Sequence, residues 1–191
     1  MIKPGDTFFN HVTGEELTFF ETAASTGGEY VELISTVRPG GFVAAAHVHP
    51  SQSETFTLLE GTLDLSIGGE RLRLAPGECT TVAPGTAHRF WNDGARPAVF
   101  RCVIRPALQF ESLIEMLFTL AAEGRTNRRG IPNPVRTAAI ARAHRAEVRF
   151  PGVPALIQDI GTLAVMPLAY AFGYTAPQRQ PACGGRAMLA S

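Results

Sequence analysis

Cysteine is scarce in this chain. Cys79, Cys102 and Cys183 are the three present, far apart, odd in number and without a CxxC pair. That argues against a disulfide framework and favours a reducing cytoplasm. Net charge is absent too: 17 basic residues balance 17 acidic ones, and no long basic run occurs. A surface built to attract nucleic acid is therefore not expected. The opening residues, Met1 to Asp6, lack the apolar core of a signal peptide, which again favours the cytoplasm. No apolar run reaches the roughly 20 residues that span a bilayer. The stretch Ile160–Tyr174 comes nearest, but Asp159 sits at its edge and Pro167 interrupts it. It reads as a buried or oligomer-facing helix, so a membrane is not an expected partner.

The chain does have punctuation. Nineteen glycines and 14 prolines break 191 residues into short pieces. Strand patterns flank a Thr13-Gly14 turn, then run through Tyr30–Val37, Phe42–His49, Glu54–Leu59, Thr62–Ile67, Arg71–Leu74, Cys79–Val82, His88–Trp91 and Ala98–Arg105. Gly68-Gly69, Pro76-Gly77 and Pro84-Gly85 supply turns between them. So many short strands predict an all-β sandwich, jelly roll or barrel over residues 1–106. The periodicity changes at Pro106. Phe110, Leu113, Ile114, Leu117, Phe118 and Ala121 recur at helical spacing until Gly124. A second helix is expected over Val135–Glu147, and a third over Val153–Tyr174, bent or broken at Pro167. Residues 107–175 thus form a helical extension packed on the barrel or on a dimer partner, and 176–191 a loose tail. His144, in the arginine-rich helix, reads as a surface residue. Cys79 and Cys102 read as small buried strand residues.

Chemistry concentrates in two clusters. His47, His49 and Glu54 lie between Gly41 and Gly61; His88 and Asn92 follow Gly77. Residues two apart on a strand face the same side, with Cα atoms roughly 6.6 Å apart. His47 and His49 therefore project together and can converge on one ion. The turn Pro50–Ser53 brings Glu54 back to the same point, and His88 supplies a fourth group. Three imidazoles and a carboxylate suit iron, manganese, nickel, copper, cobalt or zinc.

These clusters resemble the two sequence motifs of the cupin superfamily. The first is matched at Gly41, His47, His49, Glu54 and Gly61; the second at Gly77, Gly85, His88 and Asn92. Ala83 stands where the family usually has proline. The resemblance covers roughly residues 30–105 and implies a double-stranded β-helix, or jelly-roll barrel. Its metal would be held inside by His47, His49, Glu54 and His88; the three or so α-helices expected after Pro106 are not part of the general family pattern. Such proteins include dioxygenases, isomerases, epimerases, decarboxylases, polyketide cyclases and non-catalytic binding or storage proteins.

The favoured expectation is a dioxygenase-type oxidoreductase using one divalent transition metal, iron first, on a small organic substrate. Glu54 would double as a catalytic proton acceptor. Phe56 and Phe90, on the faces of the ligands, and the small Ala45 would line the substrate space. The alternatives are a redox-free metal-dependent isomerase, cyclase or decarboxylase, and a non-catalytic ligand-binding or sensor module. The third helix is too apolar to stand exposed, so a homodimer is expected.

Overall fold

The computed structural model describes residues 2–174; the expected loose tail at 176–191, with Cys183, lies outside them. Nine strands precede three helices: β1 (Thr7–Asn10), β2 (Glu15–Glu21), β3 (Val31–Val37), β4 (Ser53–Glu60), β5 (Leu63–Ile67), β6 (Glu70–Leu74), β7 (Cys79–Val82), β8 (His88–Trp91), β9 (Ala98–Arg105), α1 (Phe110–Ala122), α2 (Pro134–Ala143) and α3 (Ala155–Ala171). The strands form an antiparallel six-stranded sheet, β1-β2-β3-β9-β4-β7, and a three-stranded sheet, β6-β5-β8. Period-two alternation turns one row of each strand inward. Leu17 and Phe19, Val31 and Leu33, Phe56 and Leu58, Leu65, Phe90, Phe100 and Ile104 meet there as the core of a jelly-roll barrel. The same alternation carries Glu15, Ser35, Glu54, His88 and Cys102 inside, because each shares an inward row with those residues.

Turn chemistry fixes the registers. Gly68 and Gly69 both take positive φ between β5 and β6, the two-residue hairpin geometry. Gly61, at φ +78°, sits so close to the β8–β9 connection that an added Cβ would lie 2.2 Å from the Pro97 carbonyl oxygen. Asn92 staples this end of the barrel. Its Nδ2 donates to the carbonyls of Val37 and Arg96, and its Oδ1 accepts from the amide of Gly94.

The expected strand over Phe42–His49 does not form as a continuous strand. Val43 donates to the Phe90 carbonyl, and His47 exchanges both backbone hydrogen bonds with His88. Three residues, Ala44–Ala46, therefore stand against Arg89 alone, and the excess bulges out of the ladder. On its other side Val48 exchanges both backbone bonds with Arg149, beyond α2.

The helices differ from expectation at their ends. α2 stops at Ala143, earlier than Glu147, which frees the chain to turn back and reach Val48. Asn133 caps its start, accepting from the Arg136 amide ahead of Pro134. α3 is not broken: it runs through Pro167. The carbonyl that Pro167 leaves without a donor belongs to Leu163, which is exposed and can be solvated. α1 lies across the barrel mouth, with Phe118 in the barrel core and Leu113 and Leu120 packed on Ile140 of α2. His144 is buried, contrary to its reading as a surface residue: α2 packs on α1 and α3, and the chain just after it turns back to pair with Val48. Cys79 is exposed and Cys102 buried. Among the described residues, no helix is long and apolar enough to cross a membrane.

Candidate metal centre

Four inward side chains meet at one end of the barrel. The donor atoms of His47, His49, Glu54 and His88 all lie within 4.8 Å of one another. Donors about 2.1 Å from a shared ion are at most about 4.2 Å apart, so a few tenths of an ångström of closure per ligand would complete a coordination shell. Glu54 rides on β4 and His88 opens β8; His47 and His49 sit on the bulged segment that pairs with β8.

Each imidazole is turned the same way. Nδ1 of His47 meets the Ala45 carbonyl at 3.0 Å, Nδ1 of His88 meets the Thr86 carbonyl at 3.0 Å, and Nδ1 of His49 meets the Glu147 carbonyl. A carbonyl only accepts, so Nδ1 carries the proton in all three rings. Every Nε2 then points to the common centre, the usual outer-shell arrangement of metal-binding histidines, and a cation there would replace the contact between His88 Nε2 and Glu54. The bulge at Ala44–Ala46 is what returns the Ala45 carbonyl to His47. Nε2 of His49 is buried with no hydrogen-bond partner, 3.4 Å from Oε2 of Glu54.

Glu54 is divided between two tasks. Its Oε2 faces His88 Nε2 at 2.8 Å, and its Oε1 accepts from the Cys102 thiol at 3.1 Å. Burial, with the Glu54 charge, pushes the Cys102 thiol well up, so it remains a donor. Burial would also raise Glu54, but the His49 and His88 imidazoles beside it hold it well below the usual carboxylate range. Burial draws His49 down, yet the neighbouring Glu54 carboxylate and the Glu147 carbonyl lift it above the ordinary value. Burial and the other two imidazoles push His47 down to about 3, which keeps its lone pair available. The residues present fit a divalent transition metal.

Two cavities adjoin the cluster. An inner one of about 70 Å³ is lined by Glu15, Ser35, Cys102, Phe90 and the ligands His47, His49 and Glu54. An outer one of about 160 Å³ lies beyond it, under α1 and α2. Val43, His47, His49, Phe110 and Ile114 face both. Of the residues expected to line substrate space, Phe90 borders the inner cavity and Ala45 the outer. Phe56 lines neither; it packs behind them against Phe90, Phe100 and His88.

Sequence reasoning missed Glu15, Ser35 and Glu147. Glu15 accepts from Ser35 Oγ at 3.1 Å, and burial pushes its carboxyl up to about 7, with the Glu54 charge adding to the rise. The alternation Glu15-Leu17-Phe19 is the sequence signal that places it inside. Glu147 has no local signal, since its role depends on a carbonyl brought back from the far side of α2.

Comparison with known proteins extends this picture. Over 83 residues, 43% of the chain, the sequence is 30% identical to quercetin 2,3-dioxygenase of Bacillus subtilis, and the match spans 24% of that enzyme's length. A predicted oxalate decarboxylase from Thermotoga maritima superposes with a TM-score of 0.49 at 18% identity, over 56% of this chain and 99% of that one. A sugar phosphate isomerase of the cupin superfamily from Silicibacter pomeroyi gives 0.45 at 24% identity, over 55% and 67%. The Cupin domain family model matches residues 33–104, the span that holds all four candidate ligands, so this part of the chain is a cupin domain.

Proposed function

We propose that this protein is a mononuclear metalloenzyme of the dioxygenase type, with iron the first choice of metal and a small organic substrate held in the two cavities. One observation carries the reading. Three imidazoles have spent Nδ1 on backbone carbonyls and turn Nε2, with one Glu54 oxygen, to a common point beside an apolar cavity. When bound, the ion would supply Lewis acidity and the one or two coordination positions that four protein ligands leave open, enough for a substrate oxygen pair or for dioxygen. The protein does the rest. Phe90, Phe110 and Ile114 exclude water from the centre, which strengthens electrostatic effects there. Cys102 holds Glu54 from behind, and Glu54 accepts a proton from the substrate. Identity with quercetin 2,3-dioxygenase over the aligned stretch supports this chemistry. The free thiols of Cys79 and Cys102 favour a cytoplasmic setting.

The test begins with elemental analysis of protein purified without chelators or nickel resin. About one equivalent of iron is expected, lost in His47→Ala and His88→Ala. Oxygen uptake is then measured with catechol, flavonol and diketone substrates. No uptake by iron-reconstituted protein overturns the proposal. Glu15 favours one second reading, redox-free isomerisation or decarboxylation, because it places an acid–base group with a pKa of about 7 in the inner cavity. Full zinc occupancy with turnover and no oxygen consumption would select it.

A further inference from the structure

A groove of about 830 Å³ runs between the 125–134 loop, α2 and α3. Ile131, Pro132, Thr137, Ala141 and Phe150 line both this groove and the outer cavity. The outer cavity in turn shares its floor with the metal centre. Groove, outer cavity and inner cavity are therefore consecutive, and the first two are built largely by the helical extension.

We infer that the extension is the selective entrance to the metal centre: Phe150 gates it, and the ligand it admits is a compact, uncharged, single-ring molecule with an oxygen pair at one end. The oxygen pair rests on the metal reading above; the rest follows from the cavity walls.

Size comes first. Cavities of about 160 and 70 Å³ fall below the ~300–1,000 Å³ usual for drug-sized ligands. A three-ring flavonol does not fit this space. Charge comes second. Apart from the ligand imidazoles, Arg149 is the outer cavity's charged residue. Its charge is already paired, at 3.2 Å from each oxygen of Asp159, and it also donates to the Ala155 carbonyl at 3.1 Å. Thr137 donates its hydroxyl to the Pro132 carbonyl. Among the described residues, no unpaired cationic side chain lines the wall to repay a buried anion, which would lose its hydration. The gate comes third. Gln158 of α3 clamps the Phe150 backbone from both sides, accepting from its amide and donating to its carbonyl, each at 3.0 Å. Phe150 is 41% exposed at the junction of groove and cavity, so its ring can swing while its backbone stays fixed.

The experiment uses zinc-loaded protein, so that catechols bind without oxidation, and calorimetry with 4-methylcatechol, 3,4-dihydroxybenzoate and quercetin. 4-Methylcatechol is expected to bind at least about tenfold more tightly than either of the others. Ala141→Phe, which fills the passage, should weaken it by a similar factor at unchanged zinc content. Phe150→Ala should speed both association and dissociation in stopped-flow while leaving Kd nearly constant. The inference is overturned by quercetin or the benzoate binding equally well, by no binding of 4-methylcatechol, or by parental behaviour in both variants. Failure to take up zinc would defeat the metal reading alone. The Ala141→Phe difference, measured with 4-methylcatechol on metal-free protein, would still decide whether this passage is the entrance.

Discussion

Glu15 and Glu54 are carboxyls on inward strand positions of one sheet, yet their surroundings drive them in opposite directions. Glu54 gains two imidazole partners; Glu15 gains one hydroxyl and is otherwise left to burial. The folded protein therefore holds the Glu15 proton more tightly than the unfolded chain does. Between the ordinary 4.5 and the folded value of about 7, stability attributable to Glu15 falls as pH rises. The loss is complete above the folded value and amounts to about 3 kcal/mol. Glu15→Gln should thus be more stable than the parent at pH 8 and much closer to it at pH 5. Urea unfolding of the metal-free proteins at both pH values checks this, and a pH-independent difference would refute it. Gly61 gives a second residue-scale prediction. Gly61→Ala forces a Cβ against the Pro97 carbonyl in a left-handed backbone, so a loss of about 2 kcal/mol or more is expected in the same assay.

At the scale of elements, the irregular segment 42–49 matters more than any regular strand. It holds two ligands, one edge of it pairs with β8, and the other edge pairs with Arg149. The backbone that carries Arg149 also carries the Glu147 carbonyl that orients His49. Arg149→Pro removes the amide that Val48 accepts and should lower metal affinity about 10- to 100-fold, as loss of an outer-shell partner does. Arg149→Ala keeps the amide and should leave affinity near the parent. Competition with a chromophoric chelator distinguishes them. Equal behaviour of the two variants would mean that this pairing does not position His49. The sequence showed two histidines two residues apart, and strand geometry was enough to place them together. It could not show the bulge, because counting alternation assumes an unbroken ladder. His144 and Glu147 were illegible for a related reason: an arginine-rich helix looks solvated until the helices it packs on are present.

For the molecule as a whole, α3 is the element that bears on assembly. Leu156, Ile157, Ile160, Leu163, Leu168 and Tyr170 are exposed, and Ala169 is the buried residue of the helix. Its one charged side chain, Asp159, is paired with Arg149, so two such faces meet without charge repulsion. We propose a homodimer through α3, since self-association covers the same apolar patch on both copies. Light scattering should give twice the 20.5 kDa of one chain, and Ile160→Glu should return the monomer with its metal content intact. A monomeric parent would refute the proposal.

The sequence by itself determined the barrel and the four side chains of its candidate metal centre. Both follow from local rules: alternation decides which side chains turn inward, and glycine and proline decide where strands end. Only the tertiary structure decided what surrounds those side chains. The carbonyl behind His49, the acid at Glu15 and the size of the cavities arise where distant segments pack together. No periodicity within one segment encodes the space left between two of them.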